Sequence, residues 1–295
     1  MTLMLTTKAY AKINLSLEII GLRQDGYHDV STIYQTVSLA DTIYVDKADI
    51  ISLTCSQINL SNENNLAYKA ANLLQQFTGY VGGAKIEIIK EIPEAMGLGG
   101  GSSDAAATLI ALNQLWDLNL KSNDLHYLAS NLGADVPYLL HGGTTLGTAI
   151  GNNLKTLKSL KNKWLVLVCP ITTIENKTQR LYKALNYELF SNGDNTMDLA
   201  DSIAESSLDN RLMINSFEQI AFDVFTGLDI IKDDMLQCGA SSVHLSGTGP
   251  SLFTFVAEKE HGTKLRDQLS QKCHKAYLLE TIDASPILTP DRSRL

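Results

Sequence analysis

The sequence predicts a chain of mixed strands and helices in two domains, and three observations carry that expectation. Its 295 residues exceed the usual span of a single domain. A long stretch near the start alternates apolar and polar residues, as a strand does. Between Lys85 and Trp116 a strand, a glycine-rich loop and a helix follow in order. Apolar residues make up 44% and charged residues 19%, a balance that fills ordinary globular cores.

The first strand is expected from Ala9 to Ile19. Ile13, Leu15, Leu17 and Ile19 alternate with Lys12, Asn14, Ser16 and Glu18, so the polar set shares a face. Asp25-Gly26 marks a tight turn, with Tyr27 and His28 just after it. Val30 to Val45 reads as further strand, rich in sheet formers such as Tyr34, Thr36, Ile43 and Tyr44. From Asn65 to Phe77 a helix is expected on Leu66, Ala70, Leu73 and Phe77, ended by Gly79.

Lys85 to Ile92 is a short strand that runs into the glycine loop. Beyond the loop, Ala105, Leu109, Leu112 and Trp116 form one helical stripe. Ser102 or Ser103 is its expected N-cap, and Asp104 suits its first turn. Another helix is expected from about Asn123 to Leu132, with Gly133 as its stop. Pro137 is expected to keep Val136 out of helical geometry. Glycine-interrupted strands follow around His141-Gly142-Gly143 and from Gly147 to Gly151. The basic, polar stretch from Lys155 to Lys163 is the expected boundary, giving domains of 1–158 and 159–295. Trp164 to Val168 reads as a buried strand, and 186–209 as loop with one helix. Val243 to Phe253 reads as strand, small-residue loop, then strand or helix start.

The loop carries the chemistry. Pro93-Glu94-Ala95-Met96-Gly97-Leu98-Gly99-Gly100-Gly101-Ser102-Ser103 holds four glycines in five positions. So little side-chain bulk lets several backbone N–H groups approach one anion, and the helix behind adds the positive end of its dipole. The loop lacks the Gly-Lys-Ser/Thr ending of a Walker loop and the glycine spacing of a dinucleotide fingerprint. It is a different polyphosphate cradle.

Composition excludes other classes. A formal charge of −8 argues against nucleic acid as the main partner, which needs a basic face. No apolar run reaches membrane-spanning length, and Met1 to Lys8 has no basic leader, so a cytoplasmic protein is expected. The four cysteines are too widely spaced for a zinc knuckle or a disulfide frame, and reduced thiols are expected. His126, His141, His244, His261 and His274 show no metal spacing.

Three separated blocks, Ala11-Lys12-Ile13-Asn14-Leu15, the glycine loop and Leu245-Ser246-Gly247-Thr248-Gly249-Pro250, together resemble the galactokinase, homoserine kinase, mevalonate kinase and phosphomevalonate kinase superfamily. The triple glycine, Asp25-Gly26-Tyr27-His28 and Leu132-Gly133-Ala134-Asp135-Val136-Pro137 resemble its branch acting on a cytidine diphosphate conjugate of methylerythritol, in non-mevalonate isoprenoid synthesis. The likeness spans Ala9 to Phe253. It implies an α+β fold in two domains, the first like ribosomal protein S5 and the second ferredoxin-like. It implies phosphorylation of the 2-hydroxyl of the methylerythritol unit by ATP with Mg2+, in a cleft between the domains. The expected partner is that small molecule, with no membrane or nucleic acid, and the chain a monomer or weak homodimer.

The resemblance also implies roles. Asp135 would be the base that takes the hydroxyl proton. Lys12 beside it would lower the pKa of the attacked hydroxyl and offset developing phosphate charge. Pro93, Met96, Gly97, Leu98, Gly99, Gly100, Gly101, Ser102 and Ser103 would hold ATP. Asn14 would orient the acceptor. Tyr27 and His28 would read cytosine, with Tyr182 on the other face of a sandwich and Thr178 in the same segment. Gly247, Thr248 and Gly249 would approach the acceptor diphosphate. No protein metal ligand is assigned.

Structural alternatives stand beside each role. Asp135 can cap local backbone, Lys12 can be an exposed strand lysine, and the serines can cap alone. Tyr27 and His28 can end a hairpin without a ligand, Tyr182 can be a core or rim residue, and Gly247 to Gly249 can be a tight turn. Met96 stands where this family carries Gly or Ala, and Ser216 replaces the acid of a family Asn-Asp-x-Glu segment. The segment 170–182 is spaced unlike the family. Competing functions are a homoserine or mevalonate-type kinase and a non-catalytic S5-like RNA-binding module.

Overall fold

The computed structural model describes residues 4–171, 177–283 and 288–290. The first residues of the N-terminal stretch and the middle of segment 170–182 lie outside them.

The alternating stretch folds as predicted and runs further. β1 (Leu5–Leu22) and β2 (His28–Ala48) form a long antiparallel pair across the Asp25-Gly26 turn. β3 (Ser52–Cys55) and β4 (Gly83–Ile89) extend the sheet beyond β2, joined by α1 (Leu66–Thr78). The chain then forms α2 (Gly100–Leu115), α3 (Ser122–Ser130), the single turn α4 (Val136–Leu139), β5 (Thr144–Thr148) and β6 (Asn153–Thr156). β5 pairs with β2 and with β6.

β7 (Trp164–Cys169) opens the second sheet. After it come α5 (Lys177–Ala184), α6 (Asp194–Ala204), α7 (Glu218–Val224) and α8 (Leu228–Gln237). β8 (His244–Leu245), β9 (Leu252–Val256), α9 (Lys259–Gln271) and β10 (Lys275–Glu280) complete that half. Its order is β10-β7-β9-β8, all antiparallel. β11 (Leu288–Pro290) returns to the first sheet beside β1, whose order is β11-β1-β2-β4-β3 along the main path.

Both faces of β1 are covered. Its apolar residues Ala11, Ile13 and Leu15 pack with Leu165 and Leu167 of β7 in one core. Its polar residues Lys12, Asn14, Ser16 and Glu18 are buried too. The Glu18 carboxylate accepts the Thr196 N–H at 2.6 Å, in the first turn of α6. A buried acceptor there satisfies a helix donor that has no partner within its own helix. Leu17 and Ile19 further tie β1 to the second half, through backbone bonds to Ile214, Ser216 and Ser191.

Four local expectations are corrected. The N-cap of α2 is Gly99, not Ser102 or Ser103: the helix starts at Gly100, and the Gly99 carbonyl accepts from Ser103 N at 2.8 Å. Asp104 therefore lies past the first turn. Asn131 caps α3 ahead of Gly133. Val136 is helical although Pro137 follows, because proline in a first turn lacks only an N–H that would be unpaired anyway. In α1 the buried face is Ala67, Ala70, Ala71 and Leu74; Phe77 points outward and meets Tyr127 at 6.1 Å.

Candidate active site

Lys12 sits where the two glycine loops meet. Its backbone N–H donates to the Leu98 carbonyl at 3.0 Å, which fastens the first loop to β1. Its ammonium, only 4% exposed as a residue, donates to Asn14 Oδ1 at 2.7 Å and lies 3.4 Å from Asp135 Oδ2. Lys12 is thus not an exposed strand lysine. Asn14 Nδ2 donates in turn to Thr32 Oγ1 at 2.7 Å, which fixes the amide so that its oxygen orients Lys12. Asp135 precedes α4 and its side chain caps no backbone N–H there, which leaves the carboxylate to the cavity.

The loops are close enough to exclude side chains. A Cβ on Gly97 would stand 2.2 Å from the Ser246 carbonyl oxygen, and one on Gly247 would stand 3.2 Å from Lys12 Nζ. Both glycines have positive φ, of 78° and 56°. Ser246 Oγ donates to the Gly97 carbonyl at 3.2 Å and bolts one loop to the other.

Two cavities adjoin along this seam. One, of about 380 Å³, is lined by the loop from Pro93 to Ser102, with Asn65, Lys90 and Asp104. The other, of about 320 Å³, holds Lys12, Asn14, Tyr34, Asp135, Thr178, Tyr182, Gly247 and Thr248. Gly97, Gly99 and Ser102 line both. Ser103 lines neither: it is buried, and its hydroxyl donates to the Tyr10 carbonyl at 2.7 Å. Gly249 lies behind Thr248 and outside the cavity wall.

Tyr182 lines the second cavity and is packed between two further rings. His28 and Tyr182 have ring centroids 5.0 Å apart, and Tyr182 meets Phe217 at 4.8 Å. The His28 and Tyr182 rings are in tilted contact, so the residue expected at the cytosine edge and one expected on its face lie side by side. Burial lowers the His28 pKa, which favours the neutral imidazole. Tyr27 is 62% exposed and stands outside the cavity. Thr178 Oγ1 and Thr248 Oγ1 are 3.3 Å apart across the rim.

Sequence reasoning missed several groups here. Lys90, at the floor of the first cavity, pairs with Asp41 and with Asp104 Oδ2, the latter at 2.7 Å. Asp41 Oδ1 also accepts the N–H groups of Glu91 and Ile92, at 2.6 and 2.8 Å, and so anchors the approach to the glycine loop. Burial raises the Asp104 carboxyl to about 7, with Lys90 opposing and the Asp41 charge adding to it. Tyr34 lies below Lys12, 5.6 Å from ring centroid to Nζ. Burial, then the Asp135 charge, holds its hydroxyl well above the ordinary value, so it remains a proton donor. Lys177, also in the second cavity, is the remaining omission. The only signal in sequence was position: Lys90 directly precedes the loop, and Lys177 directly precedes Thr178. Ser216, where the family carries an acid, accepts Ile19 N–H at 3.1 Å through its hydroxyl and so serves β1.

The GHMP kinases N terminal domain matches residues 65–143, and the GHMP kinases C terminal domain matches 189–275. A 4-diphosphocytidyl-2-C-methyl-D-erythritol kinase from Dehalococcoides mccartyi is 37% identical over 280 residues, covering 95% of this chain and 99% of the relative. The chain belongs to the 4-diphosphocytidyl-2-C-methyl-D-erythritol kinase family of GHMP kinases. A crystal structure of a 4-(cytidine 5'-diphospho)-2C-methyl-D-erythritol kinase matches with a TM-score of 0.80 at 32% identity, covering 94% of this chain and 98% of that one. A homoserine kinase from Cytophaga hutchinsonii matches with a TM-score of 0.77 at 19% identity, over 97% of each chain. That likeness is one of fold; the α+β, two-domain architecture is common to both. No helix among the described residues is long and apolar enough to cross a membrane.

Proposed function

We propose that this chain transfers the γ-phosphoryl group of ATP to the 2-hydroxyl of 4-diphosphocytidyl-2-C-methyl-D-erythritol, giving the 2-phosphate and ADP. One observation carries the assignment of roles: the Lys12 ammonium lies 3.4 Å from Asp135 Oδ2 at the seam between two glycine loops. ATP occupies the cavity of the first loop, with its phosphates on the backbone N–H groups from Gly97 to Ser102 and its base toward Pro93 and Met96. The acceptor occupies the second cavity, with cytosine against His28 and Tyr182, flanked by Tyr27, and its diphosphate near Thr178 and the Gly247-Thr248-Gly249 turn.

The acceptor hydroxyl oxygen attacks the γ-phosphorus while its proton passes to the Asp135 carboxylate. Lys12 stabilises the charge that grows on the phosphoryl oxygens, held on target by Asn14. Tyr34 donates toward the same carboxylate and fixes its direction. Mg2+ fits as a companion of ATP: the Ser102 hydroxyl, on the loop segment that lines both cavities, is the side chain that would meet it. The ion would neutralise phosphate charge. We infer a cytoplasmic location from the reduced-thiol composition and the metabolite substrate.

Asp135→Asn tests the roles. Turnover should fall by about 10²–10⁴-fold, the usual worth of a positioned base, with ATP affinity nearly unchanged. Undiminished turnover removes Asp135 from the role. Because homoserine kinase shares the fold, the assay includes homoserine and mevalonate as acceptors; phosphorylation of either in preference to the cytidylyl compound overturns the substrate assignment.

A further inference from the structure

Lys177 is the first residue of α5, between the two segments that match the GHMP kinase domains. It is 8% exposed, and it lines the second cavity alongside Lys12 and Asp135. Its ammonium donates to the Gly249 carbonyl and, at 3.4 Å, to Thr248 Oγ1. Both partners are neutral, and among the described residues Lys177 forms no ion pair. Lys12 already has Asp135. The cavity therefore holds two buried ammonium groups against one carboxylate, an arrangement that favours an anion as occupant.

Position selects which anion. The γ-phosphate enters over Gly97 to Ser102, on the side of Lys12. Lys177 bonds the Thr248-Gly249 turn, which the function proposed above gives to the acceptor diphosphate, and it directly precedes Thr178 on the helix that carries Tyr182. We propose that Lys177 is the diphosphate anchor of the acceptor: its ammonium holds the pyrophosphate that joins cytidine to the sugar alcohol. This rests on the function proposed above and assigns a charge to the acceptor side of that site.

The titratable groups facing Lys177 across the cavity are Lys12 on β1, Tyr34 on β2, Asp135 before α4 and Tyr182 on its own helix. Burial, then the Lys12 charge, lowers Lys177 to about 7, with Asp135 opposing. A bound dianion reverses that balance, so binding above neutrality takes up a proton.

The test uses the full-length protein, with CDP as probe, in calorimetry at about pH 8 in two buffers of different ionisation enthalpy. Wild type should take up a fraction of a proton per CDP bound. Lys177→Met should abolish the uptake and weaken CDP binding by about tenfold or more, as loss of a charge-assisted bond does. Lys177→Arg, permanently charged, should retain most affinity without uptake, and it decides the matter if the Met variant does not fold. In turnover assays Lys177→Met should raise KM for the cytidylyl acceptor and leave KM for ATP within roughly twofold. Wild-type CDP affinity and proton uptake in the Met variant, or a loss confined to ATP KM or to kcat, overturns the proposal. A wild-type enzyme that does not phosphorylate the cytidylyl acceptor overturns the functional reading as well, and that is read on wild type alone.

Discussion

Gly247 shows how tightly the residues around Lys12 are fixed. A methyl group there would meet Asn14 Oδ1 at 3.0 Å and Lys12 Nζ at 3.2 Å, in a backbone conformation of positive φ. Gly247→Ala should therefore cost about 1–2 kcal/mol in stability and lower kcat by about 10- to 100-fold through misplacement of the ammonium. Denaturant midpoints and steady-state kinetics on the same preparation separate the two effects, and an unaltered kcat would mean that Lys12 tolerates displacement. Lys12, Asp135 and the loop glycines were legible in the sequence because contiguous motifs carry them. The Asp41–Lys90–Asp104 cluster, Tyr34 and Lys177 were not, because each acquires its meaning from partners dozens of residues away. Asn14 was legible as a site residue, but its bonds to Lys12 and Thr32 emerge only in three dimensions.

At the level of elements, α2 carries a buried acid whose titration is readable. Asp104 Oδ2 pairs with Lys90, while its Oδ1 has no partner among the described residues. The folded state holds this proton up to about pH 7, whereas the unfolded chain releases it near the ordinary value of about 4. Between those limits the native state binds more protons. The group's contribution to stability is thus present at acid pH and is lost as pH rises through about 7. Asp104→Asn should flatten that part of the profile, so the drop in urea midpoint from about pH 5 to about pH 8 becomes smaller than in wild type. An equal drop in both proteins would show that Asp104 is ionised throughout. β1, β2 and α1 were readable from periodicity and turn residues. The start of α2 was misplaced because Gly99 caps by backbone conformation, which no side chain announces. α7, α8, α9 and β10 went unassigned; their burial is dictated by the second sheet rather than by a strong local pattern.

For the whole molecule, β1 is the member both halves share. Its inward apolar residues join the core around β7, and Glu18 holds α6. Leaving the Thr196 N–H without its acceptor would cost about 1–3 kcal/mol. The two halves should consequently unfold together. The chain has two tryptophans, and they report separately: Trp116 stacks on Tyr80 beside the first sheet, and Trp164 begins β7 in the second. Replacing each in turn by phenylalanine should give fluorescence transitions with coincident urea midpoints. Midpoints that separate by more than the difference in stability of the two variants would mean that the halves melt independently. We propose the boundary at 158/159 for the connection between sheets, with β11 crossing back to lie against β1.

The wall common to the two cavities bears on inhibition. Gly97, Gly99 and Ser102 face both compartments. A bisubstrate compound, adenosine polyphosphate at one end and a cytidylyl group at the other, therefore needs only a short bridge across that wall. Once either end docks, the other is delivered at an effective concentration of about millimolar, so such tethered ligands should outbind an equimolar mixture of their halves.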